Sequence, residues 1–468
     1  MIDLTREPAS GSGAATHPVA PTPGQSPVDP RSAAIAAFEH ATSVSAGYRE
    51  WLERQGVDLA RTTAIEQVPY LQKRDVFGAD LGRWIAGGVS TAAAELLTSS
   101  GLGGRFSVGV TSRAELRSQQ AATDSALRAA GAGEGRSTLL LNCLPMGISV
   151  STTIATVATP SVHLEMAQEL FERFGRDFDL VVVLAEPVFL KELAERLFAA
   201  QCAAWTADGL ACVVGGEWVS ESWRRYVGGL LGLGPAQHQS ASGILISMGA
   251  AELGLHLLFE TPELRAIRSL LDASGQARDL FGHAWGYTPT LFTFDPQRLH
   301  IEQRRHGDGV STLVVTPLAR RLLPLVRYDL GDVGELVPPE RLNTQLAALG
   351  APQRIDRPVV ACWGRRAAGL VVGDRAIRPE LIKQRLFRSA ADAAVLTGRF
   401  YLAHSPDPVL HVQLRPATVA TPGLAADLAA FVSDVARTSC RVAMHAHDAY
   451  PYHLPGDYQH KPTYHAMA

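Results

Sequence analysis

An aspartate beside a glycine and an arginine further along the chain form the most informative pair of residues in this sequence. The segment Arg327-Tyr328-Asp329-Leu330-Gly331-Asp332 follows apolar, strand-like residues, and Arg365 comes directly after Gly364. A carboxylate held in a tight turn at the end of a buried strand can accept two hydrogen bonds from a ribose, and a guanidinium can reach the same nucleotide. Gly and Asp also dominate turns for backbone reasons alone, so an ordinary turn is the alternative.

A second segment, Thr98-Ser99-Ser100-Gly101-Leu102-Gly103-Gly104, is rich in glycine and hydroxyl groups. Small residues let backbone N–H groups turn inward around a phosphate, and hydroxyl groups add further donors. A dinucleotide fingerprint does not fit, because Phe106 stands where its third glycine belongs. A Walker loop is excluded, because the chain contains no Gly-Lys pair. A flexible surface loop is the alternative.

Two glutamates follow apolar runs that are typical of strands. One stands in Gly215-Gly216-Glu217, and the other ends Met248-Gly249-Ala250-Ala251-Glu252. Glycines at a strand end let a flat adenine ring approach the backbone. A carboxylate at the end of an apolar strand needs a partner. The alternatives are a plain strand-to-helix turn with Ser220 as N-cap and a core role for Met248.

Lysine is scarce in this chain, which contains only Lys73, Lys191, Lys383 and Lys461. Each lysine is therefore a better than usual candidate for a specific role. Lys461 follows a Pro-Gly turn close to the C-terminus. A solvated surface lysine is the ordinary alternative for all four.

The elements that would position these residues alternate between strands and helices. Strand-like runs at 139–142, 180–185, 211–214 and 243–247 alternate with helical patterns at 113–130, 162–174, 190–201 and 220–229, which predicts parallel sheets covered on both faces. A further helical pattern spans 33–61, with Phe38, Tyr48, Trp51 and Leu52 facing inward. Residues 337–339 and 350–352 are interpreted as loop. The Pro-rich residues 1–34 are expected to form a disordered leader.

Composition excludes several classes of protein. A chain of 468 residues with 46% hydrophobic and 19% charged residues is typical of a globular protein of several domains. The formal net charge of -3 gives no sign of a nucleic-acid or anionic-membrane partner. No apolar run is long enough for a membrane span, and the N-terminus lacks a signal-peptide pattern. Five cysteines without a C-x-x-C pair argue against a disulfide framework or a zinc cage and indicate the cytoplasm.

Taken in order, these segments resemble the adenylate-forming superfamily of acyl- and aryl-CoA synthetases, luciferases and peptide-synthetase adenylation domains. The resemblance is greatest to the phenylacetate-CoA ligase branch and covers residues 35–465. It implies an α/β protein with a large N-terminal AMP-binding domain, residues 35–360, of layered parallel-rich sheets with helices and a barrel-like part. A small α+β lid domain, residues 361–468, would carry a catalytic lysine in its tail.

The resemblance also implies a role for each candidate residue. Asp332 and Arg365 would fix the ribose, Glu252 would hold Mg²⁺, and Lys461 would bridge the acid and the α-phosphate. The phosphates would be bound by the loop residues Ser99, Ser100, Gly101, Gly103 and Gly104. The adenine would be contacted by Gly215, Gly216, Glu217, Met248 and Gly249.

The implied reaction is ATP-dependent activation of an aromatic or small hydrophobic carboxylic acid to an acyl-adenylate, followed by transfer to coenzyme A. One alternative is an enzyme of the same fold that passes the acyl group to a carrier protein or an amine. Another is a non-catalytic relative, because the chain departs from the family pattern at Leu102, Gly103, Met248, Ala367 and Ala368. Expected partners are the acid, ATP and coenzyme A, with no nucleic acid or membrane; a carrier protein and a homodimer stay open.

Overall fold

The computed structural model describes residues 29–78, 80–99, 106–133, 135–145, 148–202, 209–233, 243–281, 285–319, 321–372, 375–404, 408–452 and 464. Within these residues the helices are α1 (Pro30–Val44), α2 (Ala46–Arg54), α3 (Lys73–Phe77), α4 (Leu81–Trp84), α5 (Val89–Ala92), α6 (Arg113–Ala129), α7 (Leu164–Phe174), α8 (Pro187–Ala199), α9 (Glu221–Leu230), α10 (Pro262–Ser274), α11 (Ala277–Phe281), α12 (Pro339–Ala348), α13 (Pro379–Leu386), α14 (Ala390–Val395) and α15 (Leu424–Ala436).

The strands are β1 (Glu95–Thr98), β2 (Val108–Thr111), β3 (Thr138–Cys143), β4 (Thr156–Ala158), β5 (Leu180–Ala185), β6 (Leu210–Val214), β7 (Gly243–Ala250), β8 (Gly254–Phe259), β9 (Thr290–Phe292), β10 (Leu299–Arg305), β11 (Ser311–Pro317), β12 (Tyr328–Val337), β13 (Val359–Arg365), β14 (Leu370–Val372), β15 (Arg375–Ile377), β16 (Leu396–His404), β17 (Pro408–Leu414) and β18 (Arg441–His445).

The largest sheet has six strands in the order β4-β3-β5-β6-β7-β8, parallel throughout except for the antiparallel β7–β8 pair. All six residues of β5 are buried, as expected for a central parallel strand. Val181 and Val183 share one core cluster with residues of α7 and α8. Val182 packs instead with Leu127 of α6. Helices therefore cover both faces of this sheet, and the predicted α/β layering is confirmed.

A second sheet has five antiparallel strands in the order β10-β11-β12-β13-β9. Strand β12 changes register against both of its neighbours, as a β-bulge does. Gly331 lies next to this irregularity with a φ of 75°, which favours glycine. Asp332 therefore lies inside a strand, and the prediction of a turn at a strand end is wrong.

The described residues after Arg365, called the C-terminal region below, contain the β14–β15 hairpin and the three-stranded sheet β16-β17-β18. Helix α15 packs on this sheet, which gives the α+β character expected of a lid. The predicted domain boundary between residues 360 and 361 falls within β13, which belongs to the five-stranded sheet. The division of the chain into two domains stays a prediction.

Three local predictions need correction. Helix α1 begins at Pro30, inside the segment predicted as a disordered leader, while residues 1–28 lie outside the described part. The helix predicted over 33–61 breaks at Ser45, whose side chain accepts from Tyr48 N and caps α2, and α2 ends at Arg54. Helix α12 begins at Pro339, the last residue of the segment 337–339 that was interpreted as loop, because proline suits the first helical turn.

No helix in the described part of the chain is both long and apolar enough to span a membrane.

Candidate active site

Asp332 and Arg365 lie directly opposite each other on β12 and β13. Arg365 Nη1 is 3.3 Å from Asp332 Oδ2, and the side chain of Arg365 is 53% exposed while that of Asp332 is 7% exposed. The same Nη1 donates to the carbonyl of Leu330 at 2.5 Å. The Asp332 carboxylate raises the pKa of Arg365, so the guanidinium is charged. The strand pairing thus presents a buried carboxylate beside a partly exposed guanidinium.

Glu252 lies in the turn between β7 and β8, and its carboxylate is buried. Its Oε2 accepts a hydrogen bond from Ser107 Oγ at 2.8 Å, and its Oε1 accepts one from Tyr328 OH at 2.7 Å. Burial, followed by the charge of Glu252, raises the pKa of Tyr328 well above its ordinary value. Tyr328 therefore keeps its proton and acts as a donor. These two contacts join the β7–β8 hairpin to the residue directly before β2 and to β12.

The predicted phosphate loop connects β1 and β2. It is closed by Ser99 and Ser107, and Ser107 also donates a hydrogen bond to Glu252. Ser99 N donates to Ser107 O at 2.9 Å, and Ser107 N donates to Ser99 Oγ at 2.9 Å. Ser107 is thus shared between the loop closure and Glu252. Ser100, Gly101, Gly103 and Gly104 lie outside the described residues.

Lys73 is a charged group at this site to which the sequence analysis gave no role. It begins α3, two residues after Leu71, whose backbone bonds to Arg327 O and Asp329 N beside β12. Burial lowers the pKa of Lys73, Glu252 raises it and Arg365 lowers it further, so the ammonium group is within electrostatic reach of both. The scarcity of lysine was the sequence signal that could have identified it.

Arg321 holds the turn that carries Glu252. Its guanidinium donates to the carbonyls of Glu252 at 3.2 Å and Leu253 at 3.0 Å, and its Nε lies 3.2 Å from Glu115 Oε1. Arg327, next to Tyr328, forms an ion pair with the Glu302 carboxylate at 2.7 Å. These arginines fix the backbone on which the site is built.

Gly215, Gly216 and Glu217 follow β6, as predicted. A Cβ on Gly215 would lie 3.2 Å from Ser247 O, and Gly216 has a φ of 89°. Glu217 Oε2 accepts from Lys383 Nζ at 2.8 Å and from Tyr464 OH at 2.6 Å. The carboxylate of Glu217 is therefore engaged by the C-terminal region.

Met248 and Gly249 have structural roles in the β7–β8 hairpin. Met248 is partly buried and packs against the main core cluster. A Cβ on Gly249 would lie 2.6 Å from Leu255 O, so only glycine permits this close approach. These contacts account for both residue types without a nucleotide, and an adenine contact by either stays a prediction.

Lys461 lies outside the described residues. Tyr464, three residues later in the sequence, stacks on Phe400 with ring centroids 4.4 Å apart. Its hydroxyl reaches Glu217 at the end of β6. The tail thus has one described contact with the carboxyl edge of the parallel sheet.

A second set of buried charges joins the C-terminal region to α8. Lys191 Nζ donates to Glu195 Oε1 and to Leu396 O, both at 2.6 Å. Arg415 Nε is 3.0 Å from Glu195 Oε2, and Tyr226 OH donates to Glu195 Oε1 at 2.8 Å. These contacts fix the C-terminal region in one orientation against the large sheet.

The donor set near Glu252 fits Mg²⁺ better than a transition metal. Among the described residues no group of three or more His, Cys, Asp or Glu side chains could hold a metal ion. Magnesium is commonly bound by one or two carboxylates together with phosphate oxygens and waters. Glu252 supplies one such carboxylate, and a magnesium site there stays a prediction.

Neither the protein-family models nor the curated proteins include a match to this sequence. Solved structures do match. A 2-hydroxyisobutyryl-CoA ligase, crystallised in the postadenylation state with 2-HIB-AMP, aligns with a TM-score of 0.64 and 13% identity over 91% of this chain and 86% of that one. A structure from work on fatty acyl-adenylate ligases of E. coli and L. pneumophila aligns with a TM-score of 0.50 and 14% identity over 79% and 68%.

A second structure of the 2-hydroxyisobutyryl-CoA ligase also matches this chain. In its thioesterification state, with 2-HIB-AMP and CoA, it aligns with a TM-score of only 0.50 and 14% identity over 92% of this chain and 87% of that one. The chain thus has the fold of the adenylate-forming acyl- and aryl-CoA ligases, as its motifs predicted.

Proposed function

We propose that this chain activates a carboxylic acid with ATP to form an acyl-adenylate and then transfers the acyl group to coenzyme A. The supporting observation is the cluster of Glu252, Asp332, Arg365 and Lys73 at the junction of the two large sheets. A carboxylate–guanidinium pair suits a ribose, and a second carboxylate with a nearby lysine suits a magnesium–triphosphate group. Membership of the phenylacetate-CoA ligase branch is part of the proposal and rests on the sequence motifs.

In the proposed first step, Asp332 accepts hydrogen bonds from the ribose hydroxyl groups and Arg365 fixes the same nucleotide. A carboxylate oxygen of the acid forms a bond to the α-phosphorus, and the bond from that phosphorus to the bridging oxygen breaks, releasing pyrophosphate. Glu252 would hold Mg²⁺, which neutralises phosphate charge when bound. Lys73 would supply a positive charge in addition to that of Arg105, which is the basic residue of the loop at 99–107. The protein contributes positioning and charge compensation.

In the second step, the thiolate of coenzyme A attacks the carbonyl carbon of the acyl-adenylate and AMP leaves. A change in the orientation of the C-terminal region between the two steps is part of the proposal. A change of orientation before the second step would separate Lys383 from Glu217 and Lys191 from Leu396.

The test is pyrophosphate release on addition of ATP, Mg²⁺ and a panel of aliphatic and aromatic carboxylic acids. Release with at least one acid, followed by thioester formation with coenzyme A, is the expected result. Acyl transfer to a carrier protein or an amine instead would select the alternative acceptor. ATP binding without pyrophosphate release from any acid would identify a non-catalytic relative.

Lys461 gives a sharper version of this test. Lys461→Ala should slow adenylation by orders of magnitude and leave nucleotide affinity unchanged, because the lysine acts on the transition state. Thioester formation from a chemically prepared acyl-adenylate should survive. Lys461→Arg serves as the charge-retaining control. Adenylation by Lys461→Ala at the parental rate would remove Lys461 from the reaction.

A further inference from the structure

Three glutamates come together where the C-terminal region meets the carboxyl edge of the six-stranded sheet. Glu186 directly follows β5, Glu217 follows β6, and Glu380 belongs to α13 of the C-terminal region. Burial, followed by the charges of Glu217, Glu380 and Glu186, raises the pKa of Tyr464 well above its ordinary value. All three carboxyl groups therefore lie within electrostatic reach of one buried hydroxyl group.

Glu217 has a direct partner for its charge. Its Oε2 lies 2.8 Å from Lys383 Nζ and also accepts from Tyr464 OH at 2.6 Å. Lys383 follows Glu380 by three residues in α13, so the two side chains lie on the same face of that helix. The arrangement in which Lys383 and Tyr464 contact Glu217 is called the docked arrangement below.

Glu380 is buried without such a partner. It is 5% exposed, and a Cβ on Gly364 of β13 would overlap its Oε1, so glycine at this position leaves room for the carboxyl group. Its Oε2 has no hydrogen-bond partner among the described residues. A buried carboxylate in that condition is costly, whereas the protonated form carries no charge. Docking therefore buries Glu380 most easily together with its proton.

The charged groups around Glu380 act in opposite directions. Burial raises the pKa of Glu380, the cations Lys383 and Arg378 lower it, and Glu217 raises it again. Lys383 already forms an ion pair with Glu217. Arg378 lies over the ring of Trp285, with its guanidinium carbon 3.8 Å from the ring centroid. Both cations thus have other partners, and the net effect favours a protonated Glu380.

Three further titratable groups near Glu380 are uncharged at neutral pH. Burial raises the pKa of the Cys362 thiol to about 12, and Glu380 contributes to that rise. Burial, followed by Glu380, raises the pKa of Tyr287 above its ordinary value. Tyr464 keeps its proton because of burial and the nearby glutamates. These groups supply no positive charge that would compensate an ionised Glu380.

We propose that Glu380 holds a proton in the docked arrangement and releases it to water when the C-terminal region moves away from β13 and Glu217, so that acid favours docking. The interface would then act as a pH-sensitive latch on the position of the C-terminal region. This inference goes beyond the proposed function and does not require it.

The direction of this pH dependence follows from proton linkage. The docked carboxyl group has a pKa above the ordinary 4.5, whereas in the separated arrangement water surrounds the group. Between these two values the docked arrangement binds more protons, so the ratio of docked to separated molecules should fall as pH rises, by up to about tenfold per pH unit. Outside that range Glu380 has the same charge in both arrangements, and its contribution to the ratio is constant.

The first measurement is a carbon NMR titration of the glutamate carboxyl groups in the full chain, in which Glu380→Gln identifies the Glu380 signal. We expect this signal to titrate clearly above pH 4.5. Titration at or below 4.5 would overturn the proposal. Glu380→Met, which is similar in length and also carries no proton, identifies the signal if Glu380→Gln does not fold.

The second measurement follows the position of the C-terminal region by fluorescence energy transfer. Dyes are attached to Ala121→Cys on α6 and Ala430→Cys on α15, both exposed positions, in a chain with Cys202→Ser to remove the half-buried native thiol. The docked fraction should fall as pH rises, and Glu380→Gln should flatten this dependence. Glu340→Gln is the matched control and should behave like the parent, because Glu340 also follows a proline at the start of a helix but is exposed.

Equal pH dependence in the parent and in Glu380→Gln would overturn the proposal. A parent chain that shows no separated population at any pH at which it is folded would overturn it as well. Circular dichroism confirms folding at each pH. Neither measurement uses ATP or an acid, so a failure of the proposed function would leave both results unchanged.

Discussion

Single residues at the candidate site are already paired in the structure without a nucleotide. Glu252 accepts hydrogen bonds from Ser107 and Tyr328, and Asp332 lies against Arg365. Groups that are already oriented lose less freedom when a ligand binds. The rigid pairing therefore favours recognition of a ligand with a fixed arrangement of hydroxyl and phosphate groups.

Replacement of Asp332 by alanine should weaken ATP and AMP binding. A charge-assisted hydrogen bond contributes about 1.5–3 kcal/mol, which corresponds to roughly a tenfold to hundredfold increase in Kd. Isothermal titration of both nucleotides would measure the change. Asp308→Ala is the control, because Asp308 forms an exposed ion pair with Arg366. Equal nucleotide affinity in the two variants would place the ribose elsewhere.

Lys73 should take up a proton when ATP binds at alkaline pH. Its pKa is lowered from the ordinary 10.5, chiefly by burial, so part of the population is neutral below that pH. A bound triphosphate favours the charged ammonium and raises the pKa again. Proton uptake should therefore appear between the lowered pKa and about 10.5 and vanish near neutral pH. Calorimetry in buffers of different ionisation enthalpy measures it, and Lys73→Met should abolish it.

At the scale of elements, continuous apolar runs were predictable because a parallel strand is buried on both faces. The run at 180–185 matches β5 residue for residue. Helix α12 was missed because its leading prolines were interpreted as loop, although proline at N1 is compatible with a helix. The break at Ser45 depends on one side-chain cap, which a periodic pattern does not reveal.

The site was only partly predictable for a related reason. Glu252, Asp332 and Arg365 belong to local motifs, so the sequence itself drew attention to them. Ser107 joins them through a hydrogen bond to Glu252, 145 residues away in the chain, and Lys73 lies within electrostatic reach of Glu252 and Arg365. Pairings of that range depend on the packing of sheets, which local patterns do not specify.

The β7–β8 hairpin provides a prediction about stability. Gly249→Ala should destabilise the protein by about 1–3 kcal/mol, because the added methyl group overlaps the backbone of Leu255. Gly229→Ala is the matched control in α9, where an added Cβ has no neighbour within 4 Å. That change should stabilise by about 0.5–1 kcal/mol through helix propensity. Denaturant unfolding would compare the two; a neutral Gly249→Ala would contradict the close approach.

At the scale of the whole molecule, buried charges hold the C-terminal region in place. Lys383→Met should destabilise the protein by about 3–5 kcal/mol, because Glu217 would lose its ammonium partner in a buried position. Burial raises the pKa of Glu380 and Lys383 lowers it, so stability lost in the variant should partly return as pH falls and Glu380 becomes protonated.

Urea unfolding at neutral and mildly acidic pH measures this effect. Arg173→Met is the control, since Arg173 forms an exposed ion pair with Glu169 and its loss should change stability by no more than about ±0.5 kcal/mol. Equal stability of the two variants at neutral pH would mean that the Lys383–Glu217 contact does not hold the C-terminal region.

The Lys191–Glu195 pair has a consequence for how the molecule responds to compression. Both side chains are almost fully buried, at 1% and 5% exposure, and Lys191 also binds Leu396 in the C-terminal region. Rotation of that region would break the contact with Leu396 and bring water to charged groups. Water contracts around newly exposed ions, so the rotated arrangement would occupy a smaller total volume. Hydrostatic pressure should therefore promote rotation of the C-terminal region well before it unfolds the protein.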